Sequence, residues 1–209
     1  MKRNIFIFHG TGGSPDGNWF PWLKQKLEKN RLNVIIPKFP TPAGQSLKAW
    51  FKVFNQYKQY VNEKTIFIGH SLGGMFLLKV LEQLKHPVHA AFFVSAPVGV
   101  KPIKFYNSDY AFVHFVFNWP VIIKKVKTFS VYHSDNDPYV CLGNGKMLAK
   151  QLRVALTLIP KAGHLNSESG WTRFNILFKD IVKTLPRTKK YSKNINKYYS
   201  LISGSSKLL

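Results

Sequence analysis

A chain of 209 residues with 45% hydrophobic and 15% aromatic residues is long enough to bury a core and too apolar to be disordered. A single cysteine, Cys141, excludes an internal disulfide and a thiolate metal site, and we expect neither a metal nor another cofactor. The net charge of +22 favours contact with nucleic acid, an anionic surface or an acidic partner. However, the lysines are spread along the whole chain, which is typical of a solvated surface.

The first half of the chain alternates short apolar runs with amphipathic stretches. The runs over residues 5–8, 32–37 and 65–68 are typical of strands buried on both faces of a parallel sheet. Helical spacing of the large apolar residues predicts three helices, over residues 19–30, 46–61 and 72–85.

The second half continues the alternation. Strands are predicted over residues 89–95, 126–132 and 154–159, and helices over 144–152 and 171–185. Residues 98–120 form an irregular aromatic stretch in which we expect a short helix near residues 109–117. This pattern predicts an α/β fold with about six mostly parallel strands and helices on both faces of the sheet.

The ends of the chain lead to two further expectations. Pro186 is interpreted as the end of a single domain, residues 1–186, followed by a basic and mobile tail, residues 187–209. The basic N-terminus precedes only four consecutive apolar residues, too few for a secretory signal, and no run approaches the roughly 20 apolar residues of a membrane span. We therefore expect a soluble, cytoplasmic protein.

The most specific motif is G-x-S-x-G at Gly69, Ser71 and Gly73, with a predicted strand before it and a predicted helix after it. A serine on so sharp a turn has a strained backbone, and the flanking glycines approach the neighbouring strand and helix too closely for a Cβ. The helix then directs its first N–H groups at an oxyanion beside the serine. The motif predicts Ser71 as a nucleophile, and His70 is expected to point away from the cleft.

Ser71 needs a base and an acid, and in this architecture they should follow later strands, because ligands bind beyond the carboxyl ends of the strands. Asp135 and Asp137 follow the fifth strand and His164 follows the sixth, which is the order of α/β-hydrolases. We predict His164 as the base over His133, for which we expect a structural role. We predict Asp137 as the acid because a proline and an apolar pair follow it, and we expect Asp135 to cap its own turn.

An oxyanion requires two preorganised N–H donors. One is expected from Leu72, after the nucleophile, and the other from Thr11 or Gly12 in the glycine-rich loop that follows the first strand. His9 is expected to support this loop. The loop does not match G-x-G-x-x-G and lacks the lysine of a P-loop, so a nucleotide site is not expected.

Aromatic residues near these loops are candidates for lining a pocket for the acyl or alcohol group of a substrate. The same residues are equally typical of a core, and the sequence leaves both interpretations open. The candidates are Trp19, Phe20, Trp119 and Tyr139.

The chain resembles a known family in five motifs: HGTGGSP (9–15), GHSLG (69–73), NWP (118–120), SDNDPYV (134–140) and GHLN (163–166). Together they are similar to the small α/β-hydrolase serine hydrolases related to retinoblastoma-binding protein 9 and bacterial YdeN. The resemblance covers about residues 2–185. It implies a compact hydrolase without a large cap domain, a triad of Ser71, Asp137 and His164, and weak carboxylesterase activity. The basic charge and the tail depart from the family.

The leading hypothesis is therefore a serine hydrolase that cleaves a small-molecule acyl substrate, a carboxylic ester, through an acyl-enzyme. A thioester or an amide would use the same triad. The alternative hypothesis is a binding protein on a hydrolase scaffold, whose basic surface contacts a polyanion or a protein partner.

Overall fold

A computed structural model of the chain describes residues 3–114 and 116–186. The predicted tail, residues 187–209, lies outside the described residues. The chain divides into two compact units, residues 1–174 and 175–209.

The first unit is built on a sheet of six parallel strands in the order β2-β1-β3-β4-β5-β6. The strands are β1 (Asn4–Phe8), β2 (Asn33–Ile35), β3 (Ile66–His70), β4 (Val88–Val94), β5 (Val126–His133) and β6 (Leu156–Leu158). The chain passes from β1 to β2 on one side and then returns to β3 on the other side of β1. The crevice between the ends of β1 and β3 is thus a topological switch point, where ligands bind in such sheets.

In the part of the first unit that the structure describes, six α-helices connect the strands: α1 (Phe20–Glu28), α2 (Leu47–Asn55), α3 (Leu72–Gln83), α4 (Tyr110–Val113), α5 (Trp119–Lys124) and α6 (Leu142–Leu152). The helix predicted over residues 46–61 ends at Asn55 and is followed by a 3₁₀ turn at Lys58–Tyr60. Helix α5 was not predicted. The Asn118 side chain caps it by accepting from the Val121 N–H, and Pro120 occupies its first turn, where a missing N–H costs nothing.

The two faces of the sheet carry different helices. On one face Phe8 contacts Phe54 of α2 and Phe76 of α3 at ring-centre distances of 5.6 and 5.4 Å. Alternate residues of a strand point to the other face, where His70 contacts Trp19 and Phe20 at the start of α1. The predicted α/β sheet with helices on both faces is confirmed.

The described part of the second unit contains helix α7, Asn175–Lys183. It begins four residues later than the helix predicted over residues 171–185. Its buried side chains are Leu177, Phe178, Ile181 and Val182, a spacing that marks one face of a helix. Across the described residues of both units, no helix has the length and apolar content needed to cross a membrane.

Candidate functional site

Ser71 occupies the sharp turn between β3 and α3, with φ 54° and ψ −129°. A Cβ on Gly69 would lie 2.5 Å from Gly74 Cα in the helix, and one on Gly73 would lie 2.2 Å from the Phe8 carbonyl oxygen in β1. Both distances are far below a normal contact, as the motif predicted. The Ser71 N–H donates to the Val94 carbonyl (2.8 Å), which ties the strained turn to β4.

The glycine-rich loop after β1 lies directly against the nucleophile. A Cβ on Gly10 would come within 3.0 Å of Ser71 Oγ and 3.2 Å of the Leu72 nitrogen. Within the described part of the chain, Ser71 Oγ has no hydrogen-bond partner, and the N–H groups of Leu72 and Thr11 donate to no acceptor. Among the described residues these three groups therefore take part in no internal hydrogen bond, and the Gly10 backbone lies beside them.

His9 supports the same loop, as the sequence predicted. Its Nε2 accepts from the Phe39 N–H (3.0 Å), so its proton is on Nδ1, which donates to the Gly10 carbonyl (3.0 Å). Burial lowers the pKa of His9 and keeps the ring neutral. The Gly12 N–H donates to Thr41 Oγ1 (2.8 Å). Of the two donors predicted in this loop, only the Thr11 N–H has no acceptor among the described residues.

Asp137 and His164 form a close pair after β5 and β6. His164 Nδ1 lies 2.8 and 2.9 Å from the two oxygens of Asp137, so it donates its proton to the carboxylate and leaves Nε2 as an acceptor. The Tyr139 and Val140 N–H groups also donate to Asp137 Oδ1 (2.9 and 3.0 Å). Burial alone would raise the pKa of Asp137, but these hydrogen bonds outweigh it, so the pKa falls below its ordinary value. Asp137 is ionised at neutral pH.

Three side chains before Asp137 fix the loop that carries His164. Each accepts from a backbone N–H of that loop: Ser134 from Ala162 (2.9 Å), Asp135 from Lys161 (2.7 Å) and Asn136 from Gly163 (2.8 Å). The expectation that Asp135 caps its own turn is wrong. Its carboxylate instead accepts from the Lys161 N–H, in a loop 26 residues further along the chain.

His70 has a role that could not be predicted from the sequence. Its side chain is buried, and Nε2 donates to the His164 carbonyl (3.0 Å), with the two rings 5.0 Å apart. Burial and the neighbouring His164 lower the pKa of His70 to about 3, so the ring remains neutral. Because His70 directly precedes Ser71, this hydrogen bond connects the turn of the nucleophile to the backbone of the predicted base. No local signal could have revealed it, because its partner is 94 residues away.

His133, the competing base, is completely buried. Its Nε2 donates to the Val140 carbonyl (2.9 Å) and lies 3.8 Å from Asp137 Oδ2. Burial lowers its pKa. These contacts agree with the predicted structural role. No three His, Cys, Asp or Glu side chains within residues 3–114 and 116–186 are grouped to hold a metal ion.

Tyr139 is the one pocket candidate that contacts the pair. Its ring lies edge-on to His164 at 4.9 Å and stacks on Phe105 at 5.8 Å. Its hydroxyl donates to Glu168, which raises the pKa of Tyr139, and Lys104 Nζ lies 4.6 Å from the ring centre. Tyr139 therefore forms a half-buried wall beside His164.

The prediction that Trp19 and Phe20 line a pocket is wrong. Neither side chain has any exposed surface. They pack on each other at 4.7 Å, and Trp19 Nε1 donates to the Leu165 carbonyl (2.9 Å), next to His164. Both residues belong to the core beneath the site, because their area is buried more favourably there than in a cleft.

For Trp119 the structure favours the other interpretation, because its half-buried ring packs against the core. Its ring contacts Phe117 (5.2 Å), and the preceding Asn118 N–H donates to Glu82 (2.7 Å) in the last turn of α3. Glu82 is eleven residues beyond Ser71, a rise of about 16 Å along the helix. Trp119 therefore lies near the C-terminal end of α3, whereas Ser71 lies at its N-terminal end. Helix α5, which was not predicted, carries Trp119 to this place.

Comparison with known proteins gives the same architecture. The family model described as Serine hydrolase matches residues 5–182. The chain is 28% identical to the putative hydrolase YdeN of Bacillus subtilis over 178 residues, which cover 85% of this chain and 94% of that protein. The crystal structure of the ydeN product superposes with a TM-score of 0.82 over 88% of this chain and 98% of that one. These matches confirm the resemblance seen in the motifs.

Two more distant proteins extend the comparison. Serine hydrolase RBBP9 of Rattus norvegicus is 24% identical over 191 residues, which cover 88% of this chain and 95% of that protein. Est1E of Butyrivibrio proteoclasticus shares the fold, with a TM-score of 0.65 and 14% identity over 88% of each chain.

Proposed function

Because the chain belongs to the Serine hydrolase family, we propose that it cleaves a small carboxylic ester, with Ser71 as nucleophile, His164 as base and Asp137 as the acid that orients the base. The observation that carries this proposal is the state of His164. Its Nδ1–H is held by both oxygens of Asp137, so Nε2 has the lone pair that a serine nucleophile requires. Ser71 Oγ has no hydrogen-bond partner among the described residues, but the hydrogen bond between a catalytic base and its nucleophile often forms or tightens only when substrate binds.

The first half of the reaction forms an acyl-enzyme. Ser71 Oγ attacks the ester carbonyl carbon while its proton passes to His164 Nε2. The carbonyl oxygen becomes an oxyanion, and the free N–H groups of Leu72 and Thr11 are its proposed donors. When the tetrahedral intermediate collapses, the bond to the alkoxide breaks, and His164 gives the proton to the departing alcohol.

The second half returns the enzyme to its starting state. A water molecule attacks the acyl carbon and gives its proton to His164 Nε2, which then protonates Ser71 Oγ as the acid leaves. The ionised Asp137 stabilises the imidazolium formed in both halves. The Tyr139 ring lies beside His164 and is proposed to contact the substrate there, either its alcohol part, which leaves first, or its acyl part, which leaves last.

The test is steady-state hydrolysis of a series of p-nitrophenyl esters with acyl chains of two to eight carbons, alongside matched thioesters and anilides. Ser71→Ala and His164→Ala should each lower kcat at least about a thousandfold. His86→Ala, an exposed histidine, is the matched control and should leave kcat unchanged. Turnover retained in Ser71→Ala would contradict the proposed mechanism.

A second candidate function is supported by the charge alone. The chain has 31 basic and 9 acidic side chains, so most of its positive charge has no internal carboxylate to neutralise it. We propose that this surface also binds a polyanion. Retention on heparin that weakens steeply with salt and is unchanged in Ser71→Ala would support it, and elution together with neutral proteins would reject it.

A further inference from the structure

A closed ring of hydrogen bonds surrounds the loop that carries the free Thr11 N–H. Asp109 Oδ1 accepts from Thr11 Oγ1 (2.8 Å) and from Gln45 Nε2 (2.7 Å). Gln45 Oε1 accepts from Thr41 Oγ1 (2.5 Å), and Thr41 Oγ1 accepts from the Gly12 N–H (2.8 Å). The peptide bond between Thr11 and Gly12 closes the ring.

Asp109 is an unusual residue to find in this position. Only 4% of it is exposed, and within residues 3–114 and 116–186 it forms no ion pair. Burial raises its pKa, although the donors from Thr11, Gln45 and Ser108 lower it in part. Burying a carboxyl group without a cation costs stability.

The ordinary explanation for an aspartate at this place does not apply. Asp109 is the residue before α4, but its side chain makes no capping hydrogen bond to that helix. Its hydrogen bonds instead reach 98 residues back to Thr11 and 64 residues back to Gln45. The side chain therefore acts on the loop after β1 and not on its own helix.

We infer that Asp109 is a positioning residue for the oxyanion loop, and that its ring with Gln45 and Thr41 fixes the peptide between Thr11 and Gly12. The ring holds the Thr11 hydroxyl on one side of this peptide and the Gly12 N–H on the other. The Thr11 N–H is then the group left to meet the oxyanion. This inference rests on the proposed function, because it assigns a role within the same site.

The geometry separates the hydrogen bonds of Asp109 from its charge. Both ring bonds end on the same oxygen, Oδ1, so an asparagine with its amide oxygen there keeps both acceptor contacts and loses the charge. A negative charge near an oxyanion opposes its formation. Asp109→Asn should therefore keep a kcat close to that of the wild type, whereas Asp109→Ala opens the ring.

The first test measures ester hydrolysis by Asp109→Ala and Asp109→Asn, with the exposed Glu63→Ala as the matched control. We expect Asp109→Ala to lower kcat about 10- to 100-fold with KM changed less than about threefold, since a misplaced oxyanion donor acts on the transition state. Asp109→Asn and Glu63→Ala should remain within about threefold of the wild type. An unchanged kcat in Asp109→Ala, or an Asn variant as impaired as the Ala variant, would overturn the inference.

The second test does not depend on turnover. Amide hydrogen exchange of residues 10–13 should be at least about tenfold faster in Asp109→Ala and in Thr41→Val than in the wild type or in Asp109→Asn. Exchange in β3 serves as the internal reference, because general destabilisation would accelerate both segments. If the loop exchanges equally in all four proteins, the ring does not fix it. If the wild type hydrolyses no ester but the loop exchange changes as expected, the proposed function fails while the ring stands.

Discussion

The loop that carries Ser71 and the loops that carry Asp137 and His164 lie at the same edge of the sheet, but different forces hold them. At Ser71 the backbone conformation is set by contacts that leave no room for a Cβ, such as the 2.2 Å approach at Gly73. At the other loops the conformation is set by side chains that accept backbone N–H groups from a distant segment, as Asn136 does from Gly163. The first arrangement depends on volume and the second on hydrogen bonds.

This difference determines how each region should respond to substitution. A steric fit fails as a whole when one methyl group is added, because the atoms it meets are backbone atoms that cannot move aside. A set of hydrogen bonds fails in parts, since each one contributes only about 1 kcal/mol.

The Asp137–His164 pair should be the most sensitive point of the hydrogen-bonded region. In Asp137→Asn the amide cannot stabilise the imidazolium and favours the wrong tautomer of His164. We expect kcat for ester hydrolysis to fall about 10³- to 10⁴-fold, with little change in the free energy of unfolding. Glu63→Gln is the isosteric control at an exposed site. A loss in kcat below about tenfold would show that Asp137 does not orient the base.

Substitution in the sterically fitted region should act on folding. The added methyl of Gly73→Ala would meet the carbonyl oxygens of Phe8 and His9 at 2.2 and 2.6 Å. We expect the free energy of unfolding, measured by urea denaturation, to fall by about 3 kcal/mol or more. In Gly17→Ala the methyl meets nothing closer than 3.4 Å, so the change should stay within about 0.5 kcal/mol. Equal values for the two variants would contradict the steric account.

His70, which joins the two regions, should make stability depend on pH. Its pKa is about 3 in the folded state against an ordinary 6.5, so below pH 6.5 only the unfolded chain takes up the proton. The stability present above pH 6.5 should therefore be lost as pH falls toward 3, by about 1.4 kcal/mol per pH unit.

Urea denaturation from pH 7 to pH 4 measures this slope. His70→Phe should flatten it by the contribution of one proton, while the exposed His86→Phe should not. Some slope will remain, because burial also lowers the pKa of His9 and His133. A His70→Phe variant with the slope of the wild type would show that His70 does not resist protonation in the folded state.

The smallest effect is expected from a single hydrogen bond between the loops. Asn136→Ala removes the acceptor of the Gly163 N–H and of the Ser134 hydroxyl, and it leaves in place the bonds that Ser134 and Asp135 accept from the other loop. We expect kcat to fall about three- to tenfold, equivalent to about 1 kcal/mol, with KM unchanged. If kcat fell as far in Asn136→Ala as in Asp137→Asn, the hydrogen bonds between the loops would not act separately.

The same contrast explains what could be predicted from the sequence. The turn at Ser71 is predictable because steric fit demands glycine at fixed positions close in the chain. The places of Asp137 and His164 followed from strand ends, which apolar runs mark well. The partners of Asp135 and His70 were not predictable, because they lie 26 and 94 residues away and any backbone group could have met them.

For a related reason, the sequence could not decide whether the aromatic residues line the pocket or belong to the core. The position of Trp19 in the sequence lies close to the glycine-rich loop. Only its contacts with Phe174 and His70 show that it belongs to the core. For Trp119 a signal was present: Asn118 followed by Pro120 is typical of a helix start, and the irregular reading of that stretch overlooked it.

The most direct test of the proposed chemistry is labelling with a fluorophosphonate probe, with the modified peptide identified by mass spectrometry. We expect one probe per chain, attached at Ser71, and no labelling in Ser71→Ala or His164→Ala. The control variant His86→Ala should label at the rate of the wild type. A folded wild-type protein that does not label, or one that labels at another serine, would contradict the assignment of Ser71 and His164.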